Sequence, residues 1–179
     1  MTMNIMKKSI LAVCALLLCG GLQAQVTWHS IEEASKARIG SRLYFVDFYT
    51  SWCGYCKKMD RETFTDPTVA KLLNRYYYPV KFNAEGNNTF VWKGQSYGPG
   101  TANRTHSFAN GLRGYPSFVL YKADGTVIQV IPGFYKADPF AAILWYFASG
   151  DNQRYPSFDH YMQLFDKEIR PQMEKALAD

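Results

Sequence analysis

Residues 43–59, LYFVDFYTSWCGYCKKM, decide how this chain folds. Leu43 to Tyr49 is a run of apolar, β-branched and aromatic side chains interrupted by one acid, Asp47, and it reads as a buried strand. It gives way almost at once to Cys53 and Cys56. On a helix that spacing puts both side chains on one face, close enough for their sulfurs to close a small disulfide ring. With Cys53 as the first helical residue, unpaired N–H groups and the summed peptide dipoles favour a thiolate there, which lowers its pKa and makes it the nucleophile. Cys56, one turn in, is expected to be shielded and to act second.

Toward the N-terminus, Ser30 and Glu33 form a capping box that opens a helix closed by Gly40, and Val26 to Trp28 reads as a short edge strand. Ahead of these, Lys7 and Lys8 precede an apolar run from Ile10 to Leu18, followed by small and polar residues up to Ala24. That is the pattern of a secretory leader over residues 1–24. An apolar run of this length is too short for a bilayer anchor, so no membrane insertion is expected once the leader is removed. Lipid attachment at Cys19 ranks below simple cleavage, because Leu16, Leu17 and Leu18 stand where small residues are usual. Cleavage takes Cys14 and Cys19 away, leaving Cys53 and Cys56 as the mature chain's cysteines.

Composition agrees with one exported globular domain. The chain has 179 residues, 47% hydrophobic and 16% aromatic. Loss of Lys7 and Lys8 takes the net charge from +5 to +3. That charge is too mild and too evenly spread for nucleic acid or an anionic membrane as partner.

Toward the C-terminus, the cysteine helix is expected to run to about Glu62. Asp66 then caps a second helix with Pro67 at its first position, and Tyr76 to Asn83 returns as a strand, giving a parallel pair joined by a crossover. Residues 84–111 are rich in Gly, Asn, Ser and Thr and too long for an ordinary connection. A small hairpin around Lys93, Gly94 and Gln95 and a short helix from about Thr105 to Leu112 are expected there. The whole insert reads as a surface excursion over one sheet edge, and the sharper reading is a lip beside the cysteines. Pro116 to Lys122 and Val127 to Ile131 form a hairpin around Asp124-Gly125. Asp138 is expected to cap a helix that stops at Gly150, and residues 151–179 read as a helical extension capped by Ser157 and broken or kinked at Pro171.

These features together resemble the thioredoxin family over most of residues 26–150. VDFYTSWCGYCK is similar to the family's strand-to-helix signature, with Trp52 before the first cysteine and Lys57 after the second. Asp47 falls where the family has a buried carboxylate behind the active site, and Lys81 in YYYPVKFNAE where it has a neighbouring lysine. GYPSFVLY resembles the segment in which a proline with a cis peptide bond, here Pro116 after Tyr115, faces the disulfide. CKKMDRETFTDPTVAKLLN followed by the insert looks most like thioredoxin-like domains of bacterial periplasmic disulfide-reduction systems. The resemblance implies an α/β thioredoxin fold: a mixed central sheet flanked by helices over residues 25–150, with the insert before the cis-proline strand and an extra C-terminal helix.

It also implies a thiol–disulfide oxidoreductase in which Cys53 attacks, Cys56 resolves, and Asp47 with Lys81 handles the proton. Trp52, Tyr55, Tyr115 and Pro116 form the apolar rim that docks a protein or small-molecule disulfide. No bound cofactor is required, but a membrane-linked thiol donor has to recharge the pair. Gly54-Tyr55 departs from the Gly-Pro of thioredoxin itself, and such intervening residues tune potentials over roughly −270 to −120 mV. A disulfide oxidase or isomerase therefore stays open, as does a redox-silent binding module. A zinc site is disfavoured, since two cysteines and the scattered His29, His106 and His160 do not assemble a ligand set. A purely structural bridge across so short a loop removes little chain entropy.

Overall fold

The computed structural model describes residues 24–100 and 106–178. Apart from Ala24, the expected leader lies outside them. The described chain builds one four-stranded mixed sheet in the order β2-β1-β5-β6, with β1 (Leu43–Tyr49), β2 (Tyr77–Asn83), β5 (Ser117–Tyr121) and β6 (Val127–Pro132). β1 pairs parallel with β2 and antiparallel with β5, and β5 pairs antiparallel with β6. A parallel pair needs a crossover. Here it consists of α2 (Gly54–Lys58), a π turn (Met59–Thr63) and α3 (Pro67–Tyr76), the last capped by Asp66, whose carboxylate accepts from the N–H groups of Thr68 and Val69.

Because β1 is central, alternate side chains enter two different cores. On one face Phe45 meets Phe64, Tyr77, Phe118 and Phe140, with ring centres 5.4 to 6.3 Å away. That core is closed by α3, by α4 (Ala137–Ala148) and by the C-terminal tail. On the other face Tyr44, Val46 and Phe48 pack with Val80, Phe82 and Val119 beneath α1 (Ile31–Lys36), whose N-terminus carries the expected Ser30–Glu33 capping box.

The insert completes this second core. Its hairpin, β3 (Phe90–Trp92) and β4 (Gln95–Tyr97), turns through Lys93 and Gly94, both at positive φ, as a two-residue turn of that kind requires. Phe108, on a short 3₁₀ turn (Ser107–Ala109), lies 4.8 to 6.0 Å from the rings of Phe48, Phe82, Phe90, Trp92, Tyr97 and Tyr121. The surface-excursion reading is thus corrected: the segment covers a sheet face, and its buried aromatics hold it there. His106 is a satisfied core histidine. Its Nδ1 accepts from the Phe108 N–H at 3.1 Å, and its Nε2 bonds the Asn88 carbonyl at 2.8 Å.

Other boundaries shift for local reasons. Residues 26–28 form no strand; only His29 bridges to Val80. α1 ends at Lys36, and Gly40 instead serves the turn into β1 at φ 61. Lys136, not Asp138, precedes α4, which frees the Asp138 carboxylate for a two-pronged hydrogen bond from Arg170. The tail forms α5 (Asp151–Arg154), α6 (Phe158–Leu164, capped by Ser157), a second π turn (Phe165–Ile169) and α7 (Arg170–Ala178). Pro171 does not break it: the proline sits in the first turn of α7, where its missing N–H is tolerated, directly behind the widened turn. Tyr161, Phe165, Ile169 and Met173 line one buried stripe against the main core.

Candidate active site

Cys53 and Cys56 are joined by a disulfide, with S–S 2.07 Å. Cys53 is the N-cap of α2 rather than its first residue, and its Sγ accepts the Cys56 N–H at 3.0 Å. An N-cap acceptor stands where unpaired N–H groups converge, so negative charge on this sulfur is favoured on reduction. The expected contrast in shielding is absent: Cys53 is 4% and Cys56 3% exposed. The asymmetry between the two sulfurs is electrostatic. Around them Trp52 (68%) and Tyr55 (62%) stand exposed.

Trp52 meets Tyr115 edge-on at 6.1 Å, and Tyr55 meets Phe134 at 5.8 Å. The Tyr115–Pro116 peptide is cis, and the Pro116 carbonyl accepts the Gly133 N–H at 2.8 Å, tying the end of β6 to the proline. Trp52 and Tyr55, next to the cysteines in the chain, are thus in ring contact with Tyr115 and with Phe134, the latter an addition the sequence reading missed. Glu85 is a second. Its carboxylate accepts from the Ser51 N–H at 2.6 Å and hydroxyl at 2.7 Å, fixing the loop before Cys53. These bonds hold Glu85 below the usual carboxylate range.

Asp47 lies fully buried on β1, opposite Lys81 in the β1–β2 register. Burial pushes its pKa up to about 6, with the Asp60 charge adding to the rise and Lys81 opposing it. Lys81 Nζ donates to Asp47 Oδ2 at 2.7 Å and also pairs with Asp60. Burial alone works against the ammonium, but the two carboxylates outweigh it and hold Lys81 above the ordinary lysine value. Asp47 Oδ1 and Thr50 Oγ1 are buried with no hydrogen-bond partner among the described residues. Asp60 was not foreseen because it stands on the π turn, whose extra residue per turn alters which side chains face the sheet. No group of three or more His, Cys, Asp or Glu among the described residues is placed to hold a metal ion.

Residues 31–148 match the family model described as a thioredoxin-like domain. The chain belongs to the thioredoxin-like family. A thioredoxin-like fold carrying a C-x-x-C pair is consistent with thiol–disulfide oxidoreductase activity. Over 119 residues the chain is 30% identical to the thiol:disulfide interchange protein DsbD of Ralstonia nicotianae, covering 64% of this chain but 17% of that protein. It therefore spans about a sixth of that relative's length. Among solved structures, a thioredoxin-fold protein from Helicobacter pylori superposes with a TM-score of 0.54 at 13% identity, covering 89% of this chain and 93% of that one. A thioredoxin from Thermus thermophilus gives 0.52 at 21% identity over 73% and 97%. These likenesses are of fold. The expected thioredoxin-like architecture, with its mixed sheet, flanking helices and C-terminal helix, is the one observed.

Proposed function

We propose that this chain is an exported thiol–disulfide oxidoreductase that works in the reducing direction on protein or small-molecule disulfides. The observation that carries the reading is the Cys53 sulfur at a helix N-cap, receiving the Cys56 N–H, with the buried Asp47–Lys81 pair on the adjoining strands. The kinship with a thiol:disulfide interchange protein supports it.

In the reduced enzyme, Cys53 thiolate attacks one sulfur of a substrate disulfide, forming a mixed disulfide and expelling the other sulfur as thiolate. Asp47, held by Lys81, takes the proton of Cys56, directly or through water. Cys56 then attacks the Cys53 sulfur, which closes the internal disulfide and releases the second substrate thiol. The substrate gains two electrons and the enzyme loses them, so a dithiol donor must return them, and a membrane-linked thiol carrier fits an exported protein. Trp52, Tyr55, Tyr115 and Pro116 dock the partner chain. Residues 1–24 act as the export leader, residues 25–150 form the redox domain around the 84–111 insert, and residues 151–179 extend it.

Insulin reduction with a dithiol donor tests activity. Equilibration of the Cys53–Cys56 couple with glutathione separates a reductase from an oxidase or isomerase. Inactivity toward every disulfide offered, in both redox states, would instead favour a binding module.

A further inference from the structure

Three rings surround the Lys81 ammonium: Nζ lies 4.8 Å from the Trp28 ring centre, 5.0 Å from that of Phe64 and 5.3 Å from that of Tyr49. Tyr49 ends β1, and Phe64 follows the π turn, so both belong to elements that already build the site. Trp28 does not. It sits on the irregular segment ahead of α1, which is tied down at several points. The Thr27 N–H donates to Asn74 Oδ1 at 2.8 Å, and Asn74 Nδ2 donates to the Gln25 carbonyl at 2.7 Å. The His29 N–H donates to the Pro79 carbonyl at 3.0 Å, and the His29 carbonyl accepts the Lys81 N–H at 3.1 Å. The segment is thus fastened to the backbone of the very residue whose side chain it covers. The indole stands edge-on to Phe64 at 4.9 Å.

We propose that Trp28 is a positioning residue of the dithiol site, closing an aromatic cage that holds the Lys81 ammonium against Asp47 and Asp60. The use made of that pair rests on the function proposed above; the cage itself does not. A lysine ammonium is a strongly hydrated point charge on a flexible four-carbon stem, so two carboxylates alone leave it free to swing toward the more exposed one. Here that is Asp60, since Asp47 is the buried partner. Tryptophan offers the strongest ring face to a cation, and an indole over Nζ favours the inward rotamer. Without it, Asp47 stays buried while its counter-charge moves away, and its carboxyl becomes harder to ionise.

A packing role alone would make a different prediction. Trp28→Leu keeps apolar cover over Phe45 and Phe64 but removes the π face, whereas Trp28→Phe keeps one. In the disulfide form, the one titrated, neither cysteine ionises, and the charged and titratable groups facing the pair are Asp60 on the π turn and the Tyr49 phenol on β1. The full chain, ¹³C-labelled at aspartate and assigned with Asp47→Asn and Asp60→Asn, is titrated by NMR. The Asp47 midpoint is expected to rise by about one pH unit in Trp28→Leu and to return most of the way in Trp28→Phe. An unchanged midpoint in a folded Trp28→Leu protein, whatever its melting temperature, overturns the proposal. If that variant does not fold, the wild-type protein decides. Ring currents from three faces must move the Lys81 CεH₂ resonance upfield of a free lysine's, and an unshifted resonance overturns the cage. Turnover is not read in either measurement, so an inactive protein would refute the function proposed above without touching this inference.

Discussion

Lys81 donates from Nζ to Asp47 Oδ2 at 2.7 Å across the parallel β1–β2 pair, where the two residues are direct register partners. Burial raises Asp47 from 3.8 to about 6, so the folded state keeps a proton that the unfolded chain has already lost over that range. Stability therefore falls as pH rises from about 4 to about 6. Asp47→Asn removes that penalty and leaves Lys81 paired with Asp60. It is expected to raise the unfolding free energy at pH 7 by about 2 kcal/mol and to flatten the decline between pH 4 and 6 in urea titrations. The same substitution should slow dithiol turnover by roughly 100-fold.

Cys56→Ser leaves the attacking sulfur without its resolving partner. Mixed disulfides between Cys53 and partner thiols should then accumulate and appear on non-reducing gels. Cys53→Ser should form none; equal adducts from both variants would contradict the assignment of distinct roles, and adducts from Cys53→Ser alone would reverse it.

Elements are legible in the sequence where one period and one environment coincide. β1 is buried on both faces and announces itself by an apolar run broken by Asp47 alone, and Asp66-Pro67 announces α3 by its cap. They are not legible where geometry depends on what arrives from elsewhere. Asp60 meets Lys81 from a π turn, and nothing in MDRET distinguishes that turn from a regular one. Phe90, Trp92 and Phe108 are dispersed among Gly, Asn and Ser, so their shared burial against Phe48 and Phe82 is invisible to any periodicity. Asp138 has the residue type of a cap, but a partner far along the chain, Arg170, claims its carboxylate instead.

Phe108 is the keystone of the second core, because its ring touches both the sheet and the insert hairpin. Phe108→Ala should destabilise the fold by about 3–5 kcal/mol, measured by chemical denaturation. A loss below about 1 kcal/mol would restore the insert to a surface excursion.

Tyr161 is fully buried and its hydroxyl donates to the Ala142 carbonyl at 3.0 Å, fastening the tail to α4. Tyr161→Phe should cost about 1 kcal/mol and Tyr161→Ala about 3–5 kcal/mol. A tail that merely decorates the domain would show no difference between the two.

The reduction potential of the Cys53–Cys56 couple, measured by equilibration with glutathione and quantified by thiol alkylation, tests the central claim most directly. A reversible two-electron transition nearer to roughly −270 mV than to −120 mV is predicted, as for a reductant. A couple near −120 mV would make the protein an oxidant, and no transition at all would remove the dithiol from its function.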